Sequence, residues 1–479
     1  MTLSNLHPTA GTPQTDYQLV IIGNGMACFA LLSELIQQPN RPQRILVIGD
    51  EALPAYNRVL LSPVLAGELA PEQAMLEPLG WYQQHGIDLH LQDPVVLIDR
   101  VDRRVISQQG FCWTYQQLVF ACGAKGSTPE YARQAVGTAS NICHFRNWRD
   151  LTLLQQTAAR FQPHDAQFKT VAKIEDSHKS GQAGIGVIGD THKPGHAIVV
   201  GGGFLGLEAA EGLRKQGMQV CLLQRSPYLL NRQLDATAAD LLASELRGRG
   251  LMILTGREIA SLQHKTDGNV SAVILKDGRR LPCDLLVLAL GISPNIQLAQ
   301  LAGVKTNSGI CVDSRLQSSD PAIFALGECS EFAGQTFGLL APIRSQATVL
   351  AQVLTGGTAT FTPDNTATAL KISGIDLWSC GDIPTLLKDP TSFDQTAVYQ
   401  DHQLGDYRKL WWQQGRLVGA VLYGDTSNSL FYGQLLQQAP IEDSHQIQGS
   451  HPTLLFRQPT TVSPTTDPNL SHSAGELAA

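Results

Sequence analysis

Two stretches, each an apolar strand that runs into glycines and then into a helix, constrain this chain more than any other feature. In the first stretch, the apolar residues 17–22 precede Gly23-Asn-Gly25, and leucines at helical spacing follow. A second apolar run, residues 45–48, then ends in Gly49-Asp50. Strand, glycine turn, helix and second strand together predict one βαβ unit.

The same order of elements returns in the middle of the chain. Residues 197–200 lead into Gly201, Gly203 and Gly206, and a predicted helix and strand follow. In a dinucleotide-binding turn the first glycine makes the tight turn, the second lets the backbone approach pyrophosphate, and the third lets the helix pack on the strand. The three glycines at this site meet all three requirements. Two such units predict an α/β chain with two Rossmann-like domains.

The two predicted turns differ at positions that touch a ligand. The first turn carries Cys28 where a third glycine usually lies, and Asp50 is placed to accept hydrogen bonds from a ribose 2′-hydroxyl. The corresponding position of the second unit is Gln224, followed by Arg225 and, further on, Arg232. An acid there favours NAD and repels a 2′-phosphate, whereas an amide beside arginine tolerates one. The sequence therefore leaves NADH and NADPH both open.

Charge and hydropathy exclude several classes of partner. The formal net charge is −7 and the basic residues are scattered, so the chain lacks the basic surface of a nucleic-acid-binding protein. Residues 1–16 lack the basic start and apolar core of a signal peptide, and no apolar run reaches the roughly 18–20 residues of a membrane span. We expect a cytoplasmic protein with neither a nucleic-acid nor a membrane partner.

The nine cysteines are dispersed, with no CxxC, CxxxxC or CxxH spacing anywhere in the chain. This excludes the usual sequence motifs of iron–sulfur clusters, zinc sites and redox-active dithiols. We therefore predict reduced thiols that serve as small core residues, and no metal site.

Further motifs complete a known pattern. They are Gly23-Asn-Gly-Met-Ala27, Pro54-Ala-Tyr-Asn-Arg-Val-Leu-Leu-Ser62, Gly291-Ile-Ser-Pro-Asn295 and residues 201–208, 320–328 and 370–376. Together they resemble the N-terminal FAD- and NAD(P)H-binding portion of the bacterial nitrite reductase large subunit, and the related rubredoxin and ferredoxin reductases. These proteins belong to the FAD-dependent pyridine nucleotide-disulfide oxidoreductase superfamily. The resemblance covers roughly residues 16–440.

The resemblance implies a glutathione-reductase-like architecture with a small third domain. Its FAD-binding domain would comprise residues 16–125 and 284–360, and its NAD(P)H-binding domain residues 126–283, with a polar insertion at 161–196. An α+β domain would follow at 366–440. We expect residues 1–15 and 441–479 to be disordered, the tail because its composition cannot bury enough apolar surface to offset chain entropy.

The resemblance also implies roles for individual residues. Arg58 and Ser62 would lie beside the flavin, Glu328 would hold the ribityl chain, and Glu208 would lie near the junction of flavin and nicotinamide. The helix that opens at Ala341-Pro342 would point its positive end at the flavin. The implied catalytic residues are Glu208 and Arg58, and the implied cofactor-binding residues are Gly23, Gly25, Ala27, Asp50, Arg58, Ser62, Gly123, Gly201, Gly203, Gly206, Gln224, Arg225, Gly291, Gly327, Glu328 and Pro342.

Two departures from the family pattern shape the predicted function. Pro63 stands where rubredoxin-type reductases carry lysine, so a lysine–flavin contact cannot be assumed. The chain also lacks the cysteine clusters with which the full nitrite reductase subunit holds its iron–sulfur and sirohaem centres, so it cannot reduce nitrite alone.

Without a dithiol relay, electrons that arrive as hydride must leave directly from the flavin to a partner protein. We expect an assimilatory nitrate or nitrite reductase as that partner. Two alternatives stay open: a reductase of rubredoxin, ferredoxin or flavorubredoxin, and a redox-sensing flavoprotein that binds NAD(P)H with negligible turnover. Whether the chain forms a homodimer is also left open.

Overall fold

The computed structural model describes residues 15–161, 194–363, 368–372 and 374–437. The chain divides into two compact units, Met1–Ile375 and Asp376–Ala479, which are described separately. The predictions of a disordered N-terminus, of the 161–196 insertion and of a disordered tail fall almost entirely outside the described residues.

The strand predicted at 45–48 has the same bounds in the structure, and the strands predicted at 17–22 and 197–200 begin one or two residues earlier. The strands are β1 (Thr15–Ile22), β2 (Ile45–Ile48), β3 (Ile87–His90), β4 (Val95–Asp99), β5 (Arg104–Ser107), β6 (Cys112–Phe120), β7 (Ala124–Gly126), β8 (Ile142–His144), β9 (His196–Val200), β10 (Gln219–Gln224), β11 (Met252–Thr255), β12 (Ile259–His264), β13 (Val270–Leu275), β14 (Arg280–Pro282), β15 (Leu285–Leu288), β16 (Ile292–Pro294), β17 (Ile310–Val312), β18 (Ile323–Ala325), β19 (Ser330–Phe332), β20 (Gln335–Thr336), β21 (Thr368–Ile372), β22 (Ile375–Gly381), β23 (Gln395–Asp401), β24 (Asp406–Gln413) and β25 (Arg416–Tyr423). The α-helices are α1 (Met26–Leu35), α2 (Leu61–Leu65), α3 (Leu79–Gln84), α4 (Trp148–Ala159), α5 (Phe204–Lys215), α6 (Ala236–Gly248), α7 (Gln297–Leu301), α8 (Leu340–Leu354), α9 (Ile383–Lys388) and α10 (Ser429–Gln437).

The first sheet of the first unit has the order β3-β2-β1-β6-β5-β4. Strands β3, β2, β1 and β6 are parallel, and β5 and β4 extend the sheet as an antiparallel meander. Strand β18 pairs in parallel with the second half of β6, so a distant part of the chain completes this sheet. All four residues of β2 are buried, as expected for a parallel strand covered on both faces.

A second parallel sheet has the order β11-β10-β9-β15-β8. Its placement of β15 corrects the predicted return of the chain to the first domain at residue 284. Leu285–Leu288 pairs with β9 on one side and β8 on the other, so it belongs to the second sheet. The apolar strand continues this sheet because both its edges find partners there. The chain leaves it only afterwards, through β16, which pairs with β7.

Helices α1 and α8 cover one face of the first sheet and share a core. Leu31, Leu32 and Leu35 of α1 are fully buried in the same cluster as Ala347 and Leu350 of α8. The sequence predicted that this helix opens at Ala341-Pro342. Helix α8 begins earlier, at Leu340, so Pro342 is its third residue. Proline is tolerated there because the N–H groups of the first turn have no partner within the helix.

The second unit contains the antiparallel strands β22, β25, β24 and β23, which are adjacent in that order. Its core contains Trp378, Trp412 and Tyr432, and Trp411 is only 1% exposed. In the part of the chain that the structure describes, no helix is both long enough and apolar enough to cross a bilayer.

Candidate functional site

A cavity of about 840 Å³ opens in the first unit beyond the carboxyl ends of β1, β2 and β6. In open α/β sheets, ligands bind in this position. The lining residues are Ile22, Gly23, Asn24, Gly25, Ile48, Gly49, Asp50, Glu51, Leu53, Tyr56, Arg58, Pro94, Val95, Val96, Ala121, Cys122, Lys125, Ser293, Pro294, Asn295, Ile296, Gln297, Leu298, Gln300 and Leu301.

The first glycine turn forms one wall of this cavity. Gly23 has a φ of +107°, and a Cβ placed there would lie 2.3 Å from the Ala121 carbonyl oxygen, so the turn admits no side chain. Its N–H donates to the Ile48 carbonyl at 2.8 Å. Gly25 precedes α1 as its N-cap, and the guanidinium of Arg58 lies close to it, with Nη2 3.7 Å from a Cβ placed at Gly25. Asp50 is exposed at the cavity edge.

Behind this turn, α1 is packed tightly against the end of β18. Gly327 has a φ of +77°, and a Cβ there would lie 2.8 Å from the Cβ of Ala27. Gln346 of α8 accepts a hydrogen bond from the Gly327 N–H at 2.7 Å. Cys28, in the place of the third glycine, is fully buried, and burial raises the pKa of its thiol. The predicted residues Ala27 and Gly327 are therefore in contact, and both support the turn.

A cluster of three charges lies next to the cavity. The carboxylate of Glu328 accepts a hydrogen bond from the Arg146 guanidinium and forms an ion pair with Arg58 at 3.7 Å. Gly123 lies beside this ion pair at a φ of +60°, a backbone conformation that favours glycine. Two guanidinium groups thus face the Glu328 carboxylate, and Arg58 also acts on the Glu51 carboxylate at the cavity wall.

Arg146 was missed by the sequence analysis. It follows β8 and lies in the connection from the second sheet to α4. Its Nε also donates to the Ala124 carbonyl at 3.2 Å. Burial lowers the pKa of its guanidinium, while the Glu328 carboxylate opposes that shift. A basic residue between a strand and an N-capped helix carries no distinctive signal, so only the fold reveals its partner.

A second group that the sequence analysis missed surrounds Glu51. The hydroxyl of Tyr56 donates to both carboxylate oxygens of Glu51, at 3.0 and 2.9 Å. The backbone N–H of Trp148 donates to the Tyr56 hydroxyl at 2.9 Å, and the Trp148 ring packs edge-on against that of Tyr56. Burial raises the pKa of Glu51, against the opposing effect of its hydrogen bonds. This contact fastens the start of α4 to the loop after β2.

Ser62 and Glu208 join the two folds of the first unit. Ser62 lies on α2 and its hydroxyl donates to Glu208 Oε2 on α5 at 2.5 Å. Close packing continues along this contact, because a Cβ at Gly212 would lie 2.8 Å from the Leu65 side chain. Burial raises the pKa of Glu208, and the Ser62 hydrogen bond partly counters the rise.

The second glycine turn repeats the geometry of the first. Gly201 has a φ of +117°, its N–H donates to the Leu223 carbonyl at 2.8 Å, and a Cβ there would lie 2.1 Å from the Ala289 carbonyl oxygen. A Cβ at Gly206 would lie 1.8 Å from the Gly201 carbonyl oxygen, whereas Gly203 faces open space. Gly201 therefore makes the tight turn and Gly206 lets α5 pack on the strand end, and the role of Gly203 at pyrophosphate stays a prediction.

Other predicted residues lie apart from the cavity. Gln224 ends β10 beside the second turn, and Arg225 follows it on the surface. Gly291 lies between β15 and β16 and its carbonyl accepts a hydrogen bond from Ser127 N–H at 3.0 Å. Neither Gly291 nor Pro342 lines the cavity.

All nine cysteines lie in the described residues and are free thiols. Cys122 and Cys329 interact with each other at the carboxyl ends of β6 and β18, and the Cys329 thiol raises the pKa of Cys122. Because Cys122 and Cys329 are far apart in the sequence, the sequence alone did not predict this contact. Within the described residues, no group of three histidine, cysteine or acidic side chains is placed to hold a metal ion.

Comparison with known proteins explains why the two turns occur together. The profile of the pyridine nucleotide-disulphide oxidoreductase family matches residues 17–353, which include both turns and the contact between Ser62 and Glu208. The chain belongs to this family. The profile of the rubredoxin NAD+ reductase C-terminal domain matches residues 367–439.

Members of the family bind FAD and use NADH or NADPH. The first fold fits FAD: Gly25 opens the N-terminus of α1 toward the cavity, the cavity has the volume of a cofactor site, and the Arg58 guanidinium lies beside Gly25. The second fold offers the same kind of turn for the nicotinamide coenzyme.

Several relatives match over most of this chain. It is 34% identical over 410 residues to the assimilatory nitrate reductase electron transfer subunit of Bacillus subtilis, covering 85% of this chain and 48% of the relative. It is 32% identical over 433 residues to the nitrite reductase [NAD(P)H] of the same organism, covering 90% of this chain and 48% of the relative. The chain thus spans about half the length of these relatives.

Solved structures show the same fold. The covalent putidaredoxin reductase–putidaredoxin complex matches with a TM-score of 0.72 and 24% identity, over 91% of this chain and 97% of that chain.

Proposed function

We propose that this chain is an FAD-dependent NAD(P)H reductase that passes electrons to a separate redox protein of nitrate or nitrite assimilation. The observation that carries the proposal is the joining of two nucleotide-binding folds through Ser62 and Glu208, at 2.5 Å. Such a joint brings a coenzyme and a resident flavin toward one another and excludes water from the space between them.

The residues around the cavity suit FAD. Gly23 and Gly25 would admit the pyrophosphate, Asp50 the adenosine ribose, and Glu328, held between Arg58 and Arg146, the ribityl hydroxyls. Bound FAD supplies hydride acceptance and one-electron transfer. The Arg58 guanidinium at the cavity wall would help to stabilise the anionic reduced form of the cofactor. Ala27, Gly123 and Gly327 shape the wall that carries these groups.

Other proposed roles belong to the second fold and to the joint. Gly201, Gly203 and Gly206 would bind the coenzyme pyrophosphate, with Gln224 and Arg225 at its ribose. Ser62 and Glu208 would orient the nicotinamide, and the Ser62 hydroxyl would hold Glu208 in place by donating a hydrogen bond to it. Gly291 would support the passage between the folds, and Pro342 the start of the helix that faces the flavin.

The named relatives suggest where the electrons go. One is an electron transfer subunit of an assimilatory nitrate reductase, and the other is a nitrite reductase twice as long as the match. A partner in nitrogen assimilation, with the protein in the cytoplasm, fits both names. No thiol pair at a family dithiol spacing intervenes, so the acceptor would take electrons directly at the flavin.

An anaerobic stopped-flow experiment tests the proposal. The purified yellow protein is mixed with NADH or NADPH and then with nitrate reductase, nitrite reductase, rubredoxin or ferredoxin. We expect bleaching of the flavin within milliseconds to seconds, and reoxidation within that range by the nitrogen-assimilation partner. Absence of bound FAD, or bleaching that no partner reverses, would sink the proposal in favour of a binding or sensing role.

A second candidate is a reductase of a small carrier such as rubredoxin. The profile match of the rubredoxin NAD+ reductase C-terminal domain at residues 367–439 favours it. The same experiment separates the two candidates, because the carrier that reoxidises the flavin faster identifies the function.

A further inference from the structure

The end of β10 carries a loop that folds over the second glycine turn. After Gln224 the chain runs across the turn, and the Leu230 N–H donates to the Gly202 carbonyl at 2.9 Å. The Leu229 side chain packs on the same glycine, 2.7 Å from a Cβ placed there. The surface between this loop and the turn is where the adenosine ribose of a coenzyme lies in a dinucleotide-binding fold.

Gln224 presents hydrogen-bond donors to this surface. Its Oε1 already accepts a hydrogen bond from the Gly202 N–H at 3.0 Å. Its Nε2 lies 3.4 Å from both the Tyr228 carbonyl and Asn231 Oδ1, at the long limit of a hydrogen bond. Both contacts of Nε2 are long enough to give way to a ligand oxygen, so the Gln224 amide can donate to a bound phosphate.

A ribose hydroxyl and a phosphate make opposite demands on such a site. The 2′-hydroxyl of NADH is recognised by a carboxylate that accepts a hydrogen bond from it, and Asp50 offers such a carboxylate in the first fold. The 2′-phosphate of NADPH has only acceptor oxygens and about two negative charges, so it requires donors and cations. The uncharged Gln224 amide can donate to the phosphate and, unlike a carboxylate, does not repel it.

The charges around the loop also favour an anionic phosphate over a neutral hydroxyl. Arg225 and Arg232 are exposed, and neither forms an ion pair with any residue that the structure describes. Arg225 does feel the field of Glu258, but the carboxylate of Glu258 is bound by Lys276. A second acid, Asp277, forms ion pairs with both Arg257 and Arg279. Four cations, Arg225, Arg257, Lys276 and Arg279, therefore share two acids, Glu258 and Asp277.

Backbone geometry ties this basic group to the ribose position. The N–H of Arg257 donates to the Gln224 carbonyl at 3.1 Å, and the N–H of Gly256 donates to the Ser226 carbonyl at 3.1 Å. The start of the loop is therefore held at the end of β11, where the cations gather.

We propose that the coenzyme of this protein is NADPH, and that Arg225 and the Gln224 amide recognise its 2′-phosphate. This assignment rests on the proposed reductase function and narrows its substrate. Arg225 supplies the charge and Gln224 the neutral donor, and Arg232 adds positive potential at the far end of the loop.

Steady-state kinetics of the FAD-loaded protein, with ferricyanide as electron acceptor, test the assignment. The kcat/KM values for NADPH and NADH are compared in the natural protein and in three variants. Arg225→Gln removes the charge, and Gln224→Glu introduces a carboxylate. Arg247→Gln is the matched control, because Arg247 is an exposed arginine of the same fold on α6.

We expect the natural protein to favour NADPH by about tenfold or more, since one charge-assisted contact contributes roughly 1.5–3 kcal/mol. Arg225→Gln should lower kcat/KM for NADPH about tenfold and leave NADH unchanged. Gln224→Glu should lower NADPH use and raise NADH use. Arg247→Gln should alter neither coenzyme.

A binding measurement gives a readout independent of turnover. Calorimetry compares adenosine 2′,5′-bisphosphate with 5′-AMP, and we expect the first to bind more tightly in the natural protein and to lose that advantage in Arg225→Gln. Equal or better use of NADH, or an equal response of Arg225→Gln and Arg247→Gln, overturns the assignment while leaving the reductase function intact. A protein whose flavin neither coenzyme bleaches has failed at the proposed function instead.

Discussion

The two glycine turns solve one backbone problem in the same way and then differ where a ligand and a packing partner meet them. Gly23 and Gly201 both have positive φ, both donate to a carbonyl of the second strand at 2.8 Å, and both would drive a Cβ into a neighbouring carbonyl oxygen. At the third position, Gly206 lies against the Gly201 carbonyl, whereas Cys28 fills buried space.

The difference separates what the fold demands from what the ligand demands. The first glycine is fixed by the strand–helix connection and allows no alternative. The third position depends on how closely the helix approaches the strand, and the wider contact in the first fold accepts a thiol. The matched carbonyls of Ile48 and Leu223 are followed by Gly49-Asp50 in the first fold and by Gln224-Arg225 in the second. These positions answer to the ligand, so different residues can coexist there on the same backbone.

The largest expected effect comes from the shared feature. Gly23→Ala and Gly201→Ala each place a Cβ 2.1–2.3 Å from a carbonyl oxygen at positive φ, at a cost of about 3 kcal/mol or more. We expect Gly23→Ala to be purified without FAD, and Gly201→Ala to retain FAD but resist bleaching by NAD(P)H. Absorbance after desalting and anaerobic titration measure both. Gly248→Ala, where a Cβ meets nothing within 4 Å, is the control. Loss of FAD from Gly201→Ala would contradict two separable sites.

Alanine at the third position should distinguish the turns. A Cβ at Gly206 would lie 1.8 Å from the Gly201 carbonyl oxygen, so Gly206→Ala should lower the free energy of unfolding by about 2–3 kcal/mol. Cys28→Ala only removes a buried sulfur and should lower it by about 1 kcal/mol. Urea denaturation followed by far-UV circular dichroism measures both. Equal losses would show that the two helix–strand contacts are equally close.

The cavity beside the first turn also has a neighbour from the second sheet. Arg146 follows β8 of that sheet and donates to Glu328. Arg146→Met removes the closer of the two cations on Glu328, and we expect the dissociation constant of FAD to rise about tenfold. Fluorescence of released FAD measures it. Arg149→Met is the control, because Arg149 lies three residues after Arg146, at the start of α4, and its side chain is exposed. An unchanged dissociation constant would assign Arg146 to packing alone.

The smallest effect concerns the joint between the folds. The Ser62 hydrogen bond lowers the pKa of Glu208 against the larger rise caused by burial, so Ser62→Ala should raise that pKa further. The pH profile of flavin reduction should then move to higher pH, as followed by stopped-flow absorbance. Glu208→Gln should flatten the profile, and a profile that neither variant changes would remove Glu208 from the reaction.

The stability of the protein should follow the same residue with a definite sign. The folded pKa of Glu208 lies above its unfolded value, so the folded state binds the proton more tightly. The contribution of Glu208 to stability therefore falls as pH rises from the ordinary glutamate pKa through the raised one. Glu208→Gln should lose this dependence, and thermal unfolding across that pH range measures it.

Much of the fold could be predicted because its signals are local. Strand β2 has the predicted bounds, since an unbroken apolar run is recognisable within a few residues. The return of the chain at residue 284 was predicted wrongly, because nothing within Leu285–Leu288 tells which of two parallel sheets an apolar strand will join.

The site was predictable to the same degree. The glycines and Asp50 are fixed by short spacings, whereas Arg146 reaches Glu328, and Tyr56 and Trp148 reach Glu51, only because distant segments meet.

The sequence by itself determined that this chain has two nucleotide-binding turns, since positive φ and close backbone contacts require glycine at those positions whatever surrounds them. It also determined the family, through motifs whose spacing is local. Only the tertiary structure decided which charges surround Glu328, that Ser62 donates a hydrogen bond to Glu208, and that Gln224 accepts one from the Gly202 N–H. These are pairings between residues far apart in the chain, and burial and hydrogen-bond geometry, which set them, exist only once the chain has folded.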